Sequence, residues 1–221
     1  PVQLPYEDVQ VALQTGEPVQ FQALIEEAGT YLVSFDMAAK ESFIRAPEGQ
    51  LKLDGEFPLP DARRIVFPIF YQNSRDSFPQ DRWGNDALIR QERLIRWSKV
   101  AMRDANFSQK YPVLIELEAG EHNFEFSLTQ ESMLLGSIYL ERFAQYPEYG
   151  QYLSDHPAID TRGVLIEMEA EFPSFKNDTS IRPINSRSLE VTPYDTYKLL
   201  LNNIGGESWE SSGSAVYYEF E

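Results

Sequence analysis

Between Tyr71 and Trp97 the chain reads YQNSRDSFPQDRWGNDALIRQERLIRW. Aromatic rings offer a flat apolar face to the apolar side of a sugar ring. Amide, carboxylate and guanidinium groups hydrogen-bond its hydroxyls. Tyr71, Trp83 and Trp97 supply faces here, and Arg82, Asn85 and Asp86, with Gln72 and Asn73, supply polar partners. This is a candidate set for noncovalent carbohydrate recognition. The same residues fit a plainer arrangement, in which Trp83 and Trp97 anchor a long loop or join the core.

Catalysis finds no comparable grouping. The chain lacks a G-x-S-x-G nucleophile motif and a phosphate-cradling glycine loop. Its only histidines, His122 and His156, fall in an expected hairpin turn and an expected linker, where they read as surface residues. A glycosidase needs two carboxylates flanking one bond, and the 35 acidic residues single out no pair. The expectation is a non-enzyme.

Charge and composition narrow the partners. Nineteen basic residues against 35 acidic ones give a net charge of −16. Such a surface repels phosphate backbones, which excludes nucleic acid as the expected partner, and it disfavours anionic membranes. No apolar run is long enough to span a bilayer and none resembles a signal peptide, so no membrane insertion is expected. The absence of cysteine excludes disulfides and thiolate chemistry. An opening at Pro1-Val2-Gln3, without an initiator Met, reads as a mature or excised fragment.

Strands must position the candidate residues. Fourteen Phe, 12 Tyr, 14 Pro and 12 Gly favour a β-rich, turn-rich protein. Val19, Phe21 and Ala23 alternate with polar residues, and Tyr31, Val33 and Phe35 alternate beyond the turn at Ala28-Gly29. Asp54-Gly55 is a two-residue hairpin signal. RRIVFPIFY (63–71) has strand length, and YPVLIELEAGEHNFEFSL (111–128) reads as a hairpin turning at Ala119-Gly120. ALIRQERLI (87–95) reads as a helical turn or two, and RWSKVAMRDA (96–105) as a return to strand. Residues 144–163 read as a linker with a short helix around 148–155, its tyrosines packing on a neighbouring domain. GVLIEMEAEF (163–172) predicts a new strand with Leu165, Glu167 and Glu169 on one face. Trp209 is expected in the core. At the end, Val216, Tyr218 and Phe220 alternate with Tyr217 and Glu219 in the period of a half-buried strand.

An internal repeat organises these pieces. Thr15-Gly16-Glu17-Pro18-Val19-Gln20-Phe21-Gln22 parallels Ser212-Gly213-Ser214-Ala215-Val216-Tyr217-Tyr218-Glu219. It suggests two copies of one β-module, the second cut off near its middle.

Several landmarks carry a resemblance. Glu167-Met168-Glu169-Ala170-Glu171 resembles the "EAE" opening strand of jelly-roll carbohydrate-binding modules, and Leu201 to Trp209 resembles their Asn…Gly-Gly…Trp segment. Ala28-Gly29-Thr30-Tyr31, Leu51 to Gly55 and Leu117 to His122 resemble later turns of the same modules. A closer resemblance covers nearly the whole chain. Arg64 to Pro68, Gln80 to Asp86, Arg103-Asp104-Ala105, Ile181 to Ile184 and Thr192 to Asp195 look like the N-terminal part of large extracellular solute-binding lipoproteins of Gram-positive bacteria. That resemblance implies two modules preceding the solute-receptor domain of an ABC importer, at the cell surface and anchored through a lipid. The resemblance to the carbohydrate-binding modules implies a structural calcium held by a first-strand Glu and loop carbonyls, with Glu167 and Glu169 as ligands. A solvated strand face is the other reading of that pair.

The expected architecture is all-β: a jelly-roll-like β-sandwich over 1–143, a linker over 144–163, and the N-terminal part of a second β-sandwich over 164–221. The expected function is oligosaccharide binding. The alternatives are a structural spacer or docking module for the receptor domain and, third, an accessory module of a glycoside hydrolase.

Overall fold

The computed structural model describes residues 11–39, 45–106, 112–144, 147–157, 167–206 and 213–220. Within them the chain is all-β, with one short helix, and its main body is a β-sandwich. One sheet pairs β1 (Val11–Leu13), β11 (Met133–Arg142), β3 (Gly29–Ala39) and β8 (Ser98–Ala101) in that order, with β9 (Leu114–Leu117) also on β3. The facing sheet runs β2 (Pro18–Ile25), β10 (Gly120–Gln130), β4 (Glu48–Leu53), β5 (Ile65–Val66). All strand pairs are antiparallel.

Period-2 alternation explains the core. Tyr31, Val33, Phe35 and Met37 of β3 point inward, as do Phe124, Phe126 and Leu128 of β10 and Leu51 of β4. Phe35, Phe67 and Phe126 meet edge-on or tilted, with ring centroids 5.1–5.8 Å apart. A bulge keeps β11 in phase. Leu135 pairs with Met37 and Ile138 with Phe35, so β11 spends one residue more than β3. Without that residue, Ile138 and Leu140 would face solvent; with it they pack on the core.

The expected hairpin over 111–128 is instead a crossing between sheets. β9 pairs with β3, while β10 pairs with β2 and β4. Both strands bury one apolar face against the same core, β9 from one sheet and β10 from the other. Asp54-Gly55 does turn, with φ of 51° and 86°, but Pro58 and Pro60 follow. The return is a single bridge, Leu53 to Glu56.

That turn is tied down by His122, which is mostly shielded rather than a free surface residue. Its Nδ1 lies 2.7 Å from Asp54 Oδ2 and its Nε2 2.9 Å from the Glu118 carbonyl. Asp54 also accepts the Asn123 N–H at 2.8 Å. The Asp54 hydrogen bond, then the Glu118 carbonyl, raise the His122 pKa above its ordinary 6.5. A raised folded pKa contributes stability that is complete below 6.5 and is lost as pH rises through the folded value. The urea midpoint of the wild type should therefore fall as pH rises above 6.5, and that of His122→Gln should stay flatter over the same window.

The third sheet orders as β15, β12, β6, β7. It joins β6 (Phe70–Asn73) and β7 (Gln91–Leu94) to β12 (Phe175–Lys176) and β15 (Val216–Tyr217). Residues 87–95 are thus not helical: Gln91 to Leu94 pair with Asn73 to Phe70. The long excursion 74–90 is the loop of this hairpin. Lys176 pairs with Tyr71, so the C-terminal strands extend a hairpin of the first half, and the expected boundary at 143–164 is crossed by one sheet. Beside it, β13 (Arg182–Ile184) pairs with β14 (Asn203–Gly205).

The linker holds the expected helix, α1 (Tyr149–Asp155). Tyr149 and Tyr152 are exposed instead of packed on a domain, Tyr152 stacks on His156 with centroids 4.4 Å apart, and Tyr146 lies outside the described residues. Among the described residues no helix is long and apolar enough to cross a membrane. Leu165, Ile166 and Trp209 lie outside the described residues.

The two repeat copies share geometry at their glycines. Gly16 and Gly213 both have φ of 83°, and a strand follows each. A left-handed backbone is what a glycine supplies at that step. Only Val216–Tyr217 of the terminal segment is strand, and Phe220 is exposed.

Candidate functional site

The chain passes twice between the sandwich and the third sheet. Residues 67–69 lead from β5 to β6, and residues 95–97 lead from β7 back to β8. Pro68 has no N–H to donate, so pairing breaks where the first crossing begins. The two crossings form one side of a cleft of about 1060 Å³, and residues 175–178 and 213–217 form the other. Small-molecule sites hold roughly 300–1,000 Å³, so this cleft lies just above that range.

Trp97 sits at the second crossing and lines the cleft with Tyr71 and Tyr217. Phe175 and Tyr217 stack at 4.4 Å, nearly parallel, and Phe70 meets both edge-on. Arg96 adds a cation 4.1 Å from the Phe175 ring centre. Its Nη1 donates to Glu219 at 2.9 Å. These contacts hold β15 against the crossing. Tyr217, expected to point away from the packed face, is 37% exposed and still stacks on Phe175. Burial pushes its hydroxyl pKa up, and the Arg103 and Arg96 charges pull against that shift. Asn177 lines the cleft and fixes its rim, accepting the Ala215 N–H at 2.8 Å and donating to the Gly213 carbonyl at 2.7 Å.

The other expected ligand residues are placed elsewhere. Trp83 is 64% exposed on the excursion, with the Arg82 guanidinium 3.9 Å from its ring centre. Asp81 builds that turn by accepting the N–H groups of Trp83 and Asn85 at 2.8 and 2.9 Å. The Asn85 side-chain amide, and after it these backbone bonds, hold the Asp81 carboxyl below its ordinary pKa. Asn85 and Asp86 are occupied by backbone. Asn85 Oδ1 accepts the Leu199 N–H at 2.9 Å, and Asp86 Oδ2 accepts the Leu201 N–H at 3.0 Å. The Asp86 N–H returns a bond to the Leu199 carbonyl at 2.9 Å. The structure thus splits the set into two cleft residues, two on an exposed turn, and two that fasten 199–201 to the excursion, with Gln72 and Asn73 on β6 outside the cleft lining.

That fastening has a measurable consequence. Asp86→Ala leaves the Leu201 N–H without its acceptor, at a cost of about 1–3 kcal/mol. Amide hydrogen exchange at Leu199 and Leu201 should speed up in the variant, while amides of β3 and β10 keep the wild-type rate.

Glu167 and Glu169 precede a turn and are exposed, not on a strand. Among the described residues no three His, Asp or Glu side chains converge to hold a metal. Two buried charges lie nearby in sequence. Lys176 donates to the Ile181 carbonyl, and burial lowers its pKa. Burial raises the Glu171 pKa, with Glu169 adding to the rise.

Sequence reasoning missed Arg96, Lys99, Arg103, Phe175, Asn177 and Tyr217 as cleft residues. A signal for three of them was present. Residues 96–103, RWSKVAMR, carry three cations and no acid around Trp97 in an acidic chain.

No family model matches the chain, and no curated protein matches it. Among solved structures it is similar to a beta-glucosidase from Paenibacillus barengoltzii, at 14% identity and a TM-score of 0.32. That match covers 60% of this chain and 10% of the glucosidase. It is also similar to a protein from Sulfurospirillum deleyianum, at 11% identity and a TM-score of 0.26, covering 63% of this chain and 100% of that one. The chain thus spans about a tenth of the glucosidase's length. At these TM-scores neither likeness bears on function.

Proposed function

We propose that this region binds oligosaccharide noncovalently, without catalysis, as part of an extracellular solute-binding lipoprotein of an ABC importer. The observation that carries the reading is the cleft: its walls combine Trp97, Tyr71 and Tyr217 with the hydroxyls of Ser98 and Ser214. Aromatic faces beside hydroxyl, amide and guanidinium groups are what sugar recognition requires. The motif resemblance set out above supplies the cellular setting. The reading rests on the cleft and does not need calcium at Glu167 and Glu169.

A docking or spacer role is the second reading, and a different surface favours it. Tyr197 is 95% exposed and Leu189 82%, close in sequence to the segment that carries Leu199 beside the Trp83 turn. Exposed apolar groups of this kind mark interaction surfaces when they are contiguous.

Calorimetric titration of the folded protein against plant and bacterial oligosaccharides, with and without calcium, tests the first reading. Saturable one-to-one binding supports it. No binding across the panel overturns it in favour of docking.

A further inference from the structure

Most strands that end a sheet are short. β1, β5, β7, β8 and β15 span two to four residues, and so do β13 and β14. β2 spans eight, with β10 on one side and no strand on the other among the described residues. Its outer edge is a row of backbone donors and acceptors roughly 27 Å long.

Natural edge strands are guarded against pairing by charges, bulges, prolines or short length. β2 lacks these guards. PVQFQALI holds no charged residue in a chain of net charge −16, and its proline is its first residue. Its register with β10 runs unbroken from Pro18 on Ser127 to Ile25 on Gly120. Its inner face is also unfinished. Val19, Phe21 and Ala23 pack on the core but stay partly exposed, although Phe21 stacks on Phe124 at 4.9 Å. Gln20, Gln22 and Leu24 face solvent.

We propose that β2 pairs antiparallel with β2 of a second copy of this chain, joining two four-stranded sheets into one continuous sheet. The strand itself selects this partner. An uncharged edge offers nothing to a charged strand, and it fits its own copy. Pairing must set like faces together. With Phe21 opposite its own copy on a two-fold axis, Val19 meets Ala23 and Gln20 meets Gln22. Apolar groups then cover the half-exposed side, and amides oppose amides on the other. Acids sit just beyond the ends: Glu17 and Glu26 flank the strand, and an antiparallel copy brings one near the other. With the net charge of −16 they oppose the join, so salt strengthens it. An interface this small makes the association reversible.

Sedimentation velocity over a range of protein concentrations, at low and high salt, tests this. A monomer–dimer equilibrium that tightens with salt is the expected result. Gln20→Lys combined with Gln22→Lys sets cations opposite cations across the join. Both side chains are exposed, and lysine can still donate to Glu125 and Asn123 as the two amides do, at 3.0 and 2.9 Å. The double variant also lowers the net negative charge, so a dimer governed by overall repulsion would tighten in it. Pairing through β2 predicts a dimer about tenfold weaker or more. Hydrogen exchange locates the join: amides of β2 should slow as the wild-type concentration rises, and those of β8 should not. This readout stands even if the double variant unfolds. A protein that stays monomeric at high salt, a dimer that the folded double variant keeps, or protection confined to strands other than β2 would overturn the proposal.

Discussion

Trp97→Ala should weaken oligosaccharide binding by about 30-fold or more, while Trp83→Ala leaves it within about twofold. The first figure corresponds to roughly 2 kcal/mol, the loss expected for an aromatic anchor in a desolvated pocket. The contrast follows from placement. Trp97 stands at the crossing that forms the cleft wall, whereas Trp83 lies on an exposed turn outside it. Titration calorimetry of both variants, with far-ultraviolet dichroism to verify folding, reads the difference. Equal losses would move the site to the excursion. A loss in Trp83→Ala alone would do the same.

The largest effect on stability belongs to Phe126→Ala. Phe126 is 0% exposed, lies against Phe35 and Phe67, and pairs through its backbone with both neighbouring strands. Its ring also fills the space above Gly49, where an added Cβ would come within 2.8 Å of it. Truncation leaves a cavity that the two-sheet frame cannot close, at a cost of about 3–5 kcal/mol. For a domain of this size each kcal/mol lowers Tm by roughly 2–4 °C, so a fall of about 6–20 °C is expected. Leu24→Ala, on the exposed face of the same sheet, should change Tm by no more than about 2 °C. A small effect of Phe126→Ala in differential scanning calorimetry would contradict the packing described.

Alternation gave the strands of the sandwich but not their partners. Phe124, Phe126 and Leu128 announce an inward face, yet the same pattern suits a hairpin and a crossing between sheets. The choice is made by long-range burial, which a run of eighteen residues does not encode. Gln91 to Leu94 carry three charged or amide side chains, and local composition favours helix. Pairing with Phe70 to Asn73 overrides it. The split of Asn85 and Asp86 from Trp97 has the same origin. These residues are near neighbours in sequence, but the excursion turns between them, and the acceptors they offer are taken by backbone from residues more than a hundred positions away. The cleft itself depends on residues 175–178 and 213–217 folding onto 66–103, so its far wall could not be read from either stretch alone.

The Nε1–H resonances of Trp83, Trp97 and Trp209 test the central claim most directly. Single Trp→Phe substitutions assign them, and the wild-type protein is then titrated with the tightest saccharide of the panel. The Trp97 resonance should shift in a saturable way with the calorimetric affinity, and the Trp83 resonance should stay still. A shift confined to Trp83, or saccharide binding that leaves Trp97 unmoved, would place recognition outside the cleft and contradict the account.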